Sequence, residues 1–136
     1  MECVTVRKLQ DAKWSLGYLD AAVDEGHKIL SDEQYHQVVD VFEQLSMYEN
    51  PRTVDVFDIK PIESFFELRD KWGVFGKLNV RTFFTLLDGR RIIFVIGCCK
   101  KEQEGKTPGH IVGRMRNRLR HVDGLVREWE TKSKGR

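Results

Sequence analysis

No apolar run in the chain approaches the roughly 18 residues of a membrane-crossing helix, so no helical anchor is expected. The opening residues Met1, Glu2 and Cys3 place an acid and a polar group where a signal peptide needs a basic and then an apolar stretch. A cytoplasmic protein with no membrane partner is the expectation. Cysteine is scarce. Cys3, Cys98 and Cys99 are odd in number, and two of them are adjacent, which fits neither a secreted disulfide framework nor the spaced ligands of a metal site. Buried, reduced thiols follow, with no metal and no cofactor expected. Internal repeats are also lacking, which removes solenoids and propellers.

What is present suits a single domain. The 136 residues are 40% hydrophobic, enough for one core with short loops, and residues 1–131 are assigned to it. Residues 132–136 read as a disordered tail. The formal net charge of +2 conceals a strong asymmetry. Residues 1–68 hold 6 Lys or Arg against 14 Asp or Glu, net −8, and residues 69–136 hold 17 against 7, net +10. A basic half of this kind suits a polyanion partner, although charge alone fits a solvated face equally well.

Periodicity outlines the elements. Val4, Thr5, Val6 and Arg7 alternate as in a half-buried strand. A first helix is expected after a cap at Asp11, with Ala12, Leu16, Leu19 and Val23 on one side and Gly26 as its stop. A second begins near Ser31 or Asp32, lines up Tyr35, Val38, Val39, Phe42 and Leu45, and ends before Asn50-Pro51. Together they make an acidic helical hairpin. Strands follow at about 54–59, 64–69, 80–87 and 91–98, separated by Pro61, Gly73, Gly76 and Gly89. Asp88-Gly89 signals a type I′ hairpin. Thr107 as N-cap and Pro108 at the first helical position open a last helix with Ile111, Met115, Leu119, Val122, Val126 and Trp129 on one face. The class is α+β, an N-terminal strand and helical hairpin packed on an antiparallel sheet of about four strands, with a C-terminal helix.

Four basic positions fall at strand boundaries in such a meander: Arg69, Arg81, Lys100 and Lys101. Converged at one end of the sheet, they suit an RNA phosphate. In cleavage by a ribose 2′-hydroxyl, charge builds on a five-coordinate phosphorus, and fixed guanidinium forks stabilise it without a metal. Glu67, on the same strand face as Arg69, is a candidate proton acceptor or a group that orients Arg81. His110 is the candidate donor, although a lone histidine at a helix start is more often a surface residue. Lys71, Lys77, Lys106, Arg114 and Arg118 are further candidates for RNA contact, with Arg120 and His121 beside them on the last helix. Cys98 and Cys99 lack any readable partner that would activate them as nucleophiles.

These residues carry a resemblance. Phe66-Glu67-Leu68-Arg69, Val80-Arg81-Thr82-Phe83-Phe84, Ile92-Ile93-Phe94-Val95, Cys99-Lys100-Lys101 and Lys106-Thr107-Pro108 follow one another as in the RelE/HigB toxins, in their phage-derived branch. Those toxins show E-L-R ending one strand, R opening the next, an apolar strand leading to K-K, and T-P opening the last helix. The resemblance covers nearly the whole chain, with its motifs in residues 64–108. It implies a RelE-like fold and a type II toxin: a metal-independent endoribonuclease that enters the ribosomal A site, cleaves mRNA, and is held inactive by a cognate, DNA-binding antitoxin. Arg69, Arg81, Lys100 and Lys101 would then hold phosphate, with Glu67 nearby. The chain departs from the pattern at Cys98-Cys99 and at Gly109-His110, which replaces the acid after T-P. A catalytically silent RNA- or protein-binding module of the same fold is the alternative.

Overall fold

The computed structural model describes residues 3–69, 79–101 and 107–134. Strands β1 (Val4–Arg7), β2 (Ser15–Leu19), β3 (Asp58–Ile62), β4 (Phe65–Arg69), β5 (Asn79–Leu87) and β6 (Ile92–Lys101) form one sheet in the order β1-β2-β6-β5-β4-β3. Helices α1 (Asp20–Ile29), α2 (Asp32–Leu45) and α3 (Gly109–Lys134) complete the fold. The α+β class holds, but the sheet has six strands and is mixed, because β2 runs parallel to β6.

Two apolar clusters flank this sheet. On one face Trp14, Leu16, Leu68, Phe84, Leu86 and Ile93 pack with Leu30, Val38, Phe42 and Leu45 of the helical hairpin. On the other, Phe65, Phe83, Phe94 and Ile96 pack under Met115, Val122 and Val126 of α3. Each fully buried Phe, Leu or Ile is worth about 1.5–3 kcal/mol, so the two clusters fix both helical layers against the sheet. β5 and β6, covered on both sides, accordingly read as nearly continuous apolar runs.

Several expectations shift. The stretch expected as the first half of a helix is β2, and Asp11, expected as its cap, has φ 65° in the turn before it. The spacing of Leu16, Leu19 and Val23 mimics a helix because Gly17, an inward position of β2, has no side chain to show the alternation. A Cβ on Gly17 would lie 2.7 Å from the Phe94 ring. The helix itself begins only at Asp20. The second helix starts as expected, with a capping box in which the Gln34 N–H donates to Ser31 Oγ and the Ser31 N–H to Gln34 Oε1. It stops at Leu45, ahead of Asn50-Pro51, and Pro51–Thr53 forms a short 3₁₀ turn that moves the next strand to Asp58–Ile62.

Asp88-Gly89 does mark a hairpin, but not of type I′. Leu87 pairs with Ile92 around a four-residue turn at 88–91, and the positive φ falls on Arg91 at 55°. α3 begins at Gly109, one residue later than a Thr107 cap implies, with the Val112 N–H donating to the Pro108 carbonyl. It runs through Lys134, so the stretch expected as tail is helical at 132–134, and residues 135–136 lie outside the described residues.

The parallel strand β2 is short and pairs only with the first half of β6. Beyond it α1 takes the place of a strand. Glu25 accepts from the Cys98 N–H at 3.1 Å, and Arg118 of α3 donates to the Ile96 carbonyl at 2.9 Å. The same two side chains pair with each other through both guanidinium nitrogens at 2.8 and 2.7 Å. One ion pair thus satisfies an N–H and a carbonyl on the edge of β6 that β2 leaves open, as buried backbone groups require.

Candidate functional site

Strand register decides which of the basic residues meet. Arg69 of β4 lies opposite Arg81 of β5, and Arg81 lies opposite Cys99 of β6. Side chains alternate with period two, so Glu67, two residues before Arg69, shares their face, the one covered by α3. Like charges directly opposed across strands repel, so this row needs an acid. Glu67 supplies it. It is fully buried, and its Oε2 accepts from Arg69 Nε at 2.6 Å. Its Oε1 accepts from the hydroxyl of Thr107, just ahead of α3.

Arg81 is 6% exposed and less completely held. One Nη donates to the Val80 carbonyl at 3.3 Å. Its Nε lies 3.9 Å from Glu67 Oε1, beyond hydrogen-bond reach, and has no hydrogen-bond partner among the described residues. Among the described residues two guanidiniums therefore face one carboxylate, with one positive charge in excess in a desolvated place. Such a charge is costly unless an anion completes it. The chemistry this arrangement offers is binding of a phosphate or another oxyanion by fixed forks.

The same contacts narrow the role of Glu67. Both of its oxygens are engaged and it has no exposure to solvent or substrate, so of its two expected roles the geometry favours orienting the arginines over accepting a proton. His110 stands exposed in the first turn of α3, with no partner among the described residues. Neither thiol is activated. Burial pushes Cys99 up to about 11, with Glu67 adding to it and Arg81 pulling the other way, and burial pushes Cys98 up to about 12 against a weak hydrogen bond from Thr82. Cys98 and Cys99 are buried as expected, whereas Cys3, expected to be buried with them, is exposed.

Of the lysine pair, only the Lys100 side chain is described. Lys100 lies opposite Val80, on the hairpin face of the sheet, because consecutive strand residues point to opposite sides. It is exposed there, away from Arg69 and Arg81. Lys101 pairs with Asn79, two positions beyond Cys99, and its side chain is outside the described residues, as are Lys71, Lys77 and Lys106. On α3, Arg118, a candidate for RNA contact, is engaged with Glu25 and the Ile96 carbonyl. Arg114 is exposed, close enough to Cys99 to act on it electrostatically, and without a partner among the described residues. It extends the arginine row. Glu25 was not singled out in the sequence, and Thr107 was read there only as a helix cap and as part of the T-P motif. The E-L-R and T-P motifs each hold one end of the Glu67–Thr107 contact, but nothing in local periodicity links them across 40 positions.

An apolar cavity of about 280 Å³ lies between the hairpin and the sheet, against Leu16, Val38, Phe42 and Val95. Its polar fringe is closed on itself: burial works against the charge of Arg7, but hydrogen bonds to Glu43 and Tyr18 outweigh it and raise the pKa of that group. Among the described residues no group of three His, Cys, Asp or Glu is placed to hold a metal, and no helix is long and apolar enough to cross a membrane.

No family model matches the chain, and no curated protein matches it. Among solved structures it is similar to a chain of the intact E. coli RelBE toxin–antitoxin complex, at 18% identity over 68% of this chain and 100% of that chain, with a TM-score of 0.49.

Proposed function

We propose that this chain is the toxin of a type II toxin–antitoxin pair, a RelE/HigB-type endoribonuclease of the phage-derived branch. One observation carries the reading: Arg69 and Arg81 are opposed across β4 and β5 around the buried Glu67, with excess positive charge and an unpartnered Arg81 Nε. The ordered motifs around those residues supply the family. The substrate is mRNA in the ribosomal A site, and the partner is a cognate, DNA-binding antitoxin that covers the site.

In this mechanism the scissile phosphate docks on Arg81 and Arg69, with Arg114 at the margin. The 2′-hydroxyl gives up its proton to solvent water and attacks phosphorus, while the bond to the 5′-oxygen breaks and that oxygen takes up a proton from solvent, giving a 2′,3′-cyclic phosphate and a free 5′-hydroxyl. Negative charge accumulates on the equatorial oxygens as the new bond forms, and the Arg69 guanidinium, held by Glu67, and the Arg81 guanidinium, held by the Val80 carbonyl, meet it. They supply the charge that a metal ion supplies in other nucleases, so the reaction runs without one. Lys100 and Lys101, at the end of β6, add to the attraction for the RNA backbone.

Induced expression in a translating bacterial cell tests this. The wild-type chain arrests growth and cuts translated mRNA, whereas Arg81→Ala does neither, with a loss of about 10²–10³ in cleavage rate. Harmless expression of the folded wild-type protein ends the toxin reading. A second reading, a silent RNA-binding module, is favoured by the closed state of Glu67 and the solvent position of His110, which leave neither expected proton acceptor nor expected donor free in the row among the described residues. There, alanine at Arg69 or Arg81 weakens RNA binding with no cleavage to lose.

A further inference from the structure

Helix α1 leaves open a space that a helix usually fills with side chains. Its two buried residues, Ala22 and Gly26, stand one turn apart, so they share the side that lines the cavity and bring almost no volume to it. Below them that cavity of about 280 Å³ is walled by Leu16 and Val95 of the sheet and by Val38 and Phe42 of α2. Tyr35 of α2 props the two helices apart. Its ring rests on Gly26, where a Cβ would lie 3.0 Å from it, and stacks on His27 with centroids 4.1 Å apart. A void of this kind forfeits dispersion contacts on every side, and a dry apolar cavity of only about 150 Å³ takes up benzene. Water is a poor occupant, because each molecule needs about two to four polar partners.

The polar groups of the lining are few, and most are neutral or already answered. At the rim Arg7 is paired with Glu43 at 3.1 Å, burial raises the pKa of the Tyr35 phenol so that it keeps its proton, and His36 is open to solvent. On the floor the Cys98 thiol, pushed up to about 12 by burial, is protonated as well. Thr82 lies beside it at 4% exposure, and among the described residues its hydroxyl has only the Cys98 sulfur as a partner, at 4.0 Å. A hydroxyl that donates to sulfur still has two lone pairs for an incoming donor. We propose that this cavity is a binding site for a small uncharged molecule of two-ring size, apolar over most of its surface and carrying one N–H or O–H that reaches Thr82. An anion is disfavoured because Glu43 already holds Arg7. The site lies on the opposite face of the sheet from Arg69 and Arg81, so it stands or falls independently of the phosphate reading.

Indole is the probe, with indene as the match that lacks the N–H and indole-3-carboxylate as the charged counterpart. Titrated into the full chain and followed by methyl NMR, indole is expected to saturate with a dissociation constant of about 0.01–1 mM and to show intermolecular NOEs to Leu16, Val38 and Val95. Indene should bind about three- to tenfold more weakly, and Thr82→Val should remove that difference, because one neutral hydrogen bond is worth about that much. Ala22→Leu and Val38→Phe fill the cavity from opposite walls, and each should abolish binding. Where one of them fails to fold the other serves, and where both fail the NOEs of the wild type decide. No saturable shift at these methyls overturns the proposal, as does unchanged affinity in a folded, filled variant. Indole-3-carboxylate bound as tightly as indole overturns the uncharged class, and indene bound as tightly as indole overturns the contact with Thr82. Methyl shifts that follow protein concentration instead of indole mean that a second copy of the chain fills the space, which overturns it too.

Discussion

Glu67 shows how little of a site's logic lies in residue type alone. An acid two positions before an arginine reads equally well as a base or as an orienting group, and only its burial and its two filled oxygens separate the two. Because it answers two arginines, its removal is costly twice over: Arg81 and Arg69 lose their counter-charge and the Thr107 hydroxyl its acceptor. Glu67→Ala is expected to lower unfolding free energy by about 3–5 kcal/mol in urea denaturation, as breaking a buried ion pair does. The thiols give a second test at this scale. Cys3 is exposed while Cys98 and Cys99 are buried and raised, so an aromatic disulfide reagent at pH 8 should titrate one fast thiol per chain and the other two only on unfolding. A thiol whose pKa is raised by folding binds its proton more tightly in the native state. Its contribution is complete below the unfolded value near 9 and is lost as pH rises toward about 11 and 12, so stability should fall across that window. The basic residues were legible unevenly. Arg69 and Arg81 lie opposite each other across β4 and β5, whereas Lys100, opposite Val80, is on the other face of the sheet, since consecutive strand residues alternate.

At the scale of elements, long runs with strong local signals were legible and pairings between distant segments were not. The α2 capping box, the β5–β6 hairpin and α3 follow from caps, turn residues and period, each within a few residues. β2 escaped because Gly17 hides its alternation, and its parallel partner β6 begins 73 residues after β2 ends, as 92 − 19, where no local pattern records a register. The consequence of so short a parallel strand is the Glu25–Arg118 pair, which finishes the edge of β6 in its place. Arg118→Ala removes the donor to the Ile96 carbonyl and frees Glu25 from its partner. The expected cost is about 1–3 kcal/mol by chemical denaturation, with faster hydrogen exchange at Cys98 than at the fully paired residues of β5. An exchange rate at Cys98 unchanged by the substitution would show that Glu25 holds that amide without help from Arg118.

For the whole molecule, on the RNA-binding reading proposed above, the segregation of charge sets the approach to RNA while a small part of it sets the grip. Most of the +10 of residues 69–136 lies outside the arginine row: Arg90 is paired with Asp123 and Glu130, Arg116 with Glu63, and Arg118 with Glu25. Such pairs are neutral in the far field and release few counterions when RNA binds. Arg81, Arg69 and Arg114 are different, because among the described residues one acid answers three guanidiniums. Affinity for single-stranded RNA should therefore fall with rising salt along a slope set by the phosphates these residues contact, about 0.7 in log–log terms for each. Arg114→Ala should weaken binding and flatten the slope by about one contact, and Arg69→Ala should do the same. Arg118→Ala, measured where it is folded, should leave the slope nearly unchanged, although sequence alone ranks Arg114 and Arg118 as equals on the same side of one helix, four residues apart. Equal slope changes from Arg114→Ala and Arg118→Ala would mean that RNA opens the Glu25 pair and reads the whole basic side of α3. Flattening confined to Arg69, Arg81 and Arg114 would locate the phosphate path at the strand ends, over the row that Glu67 holds together.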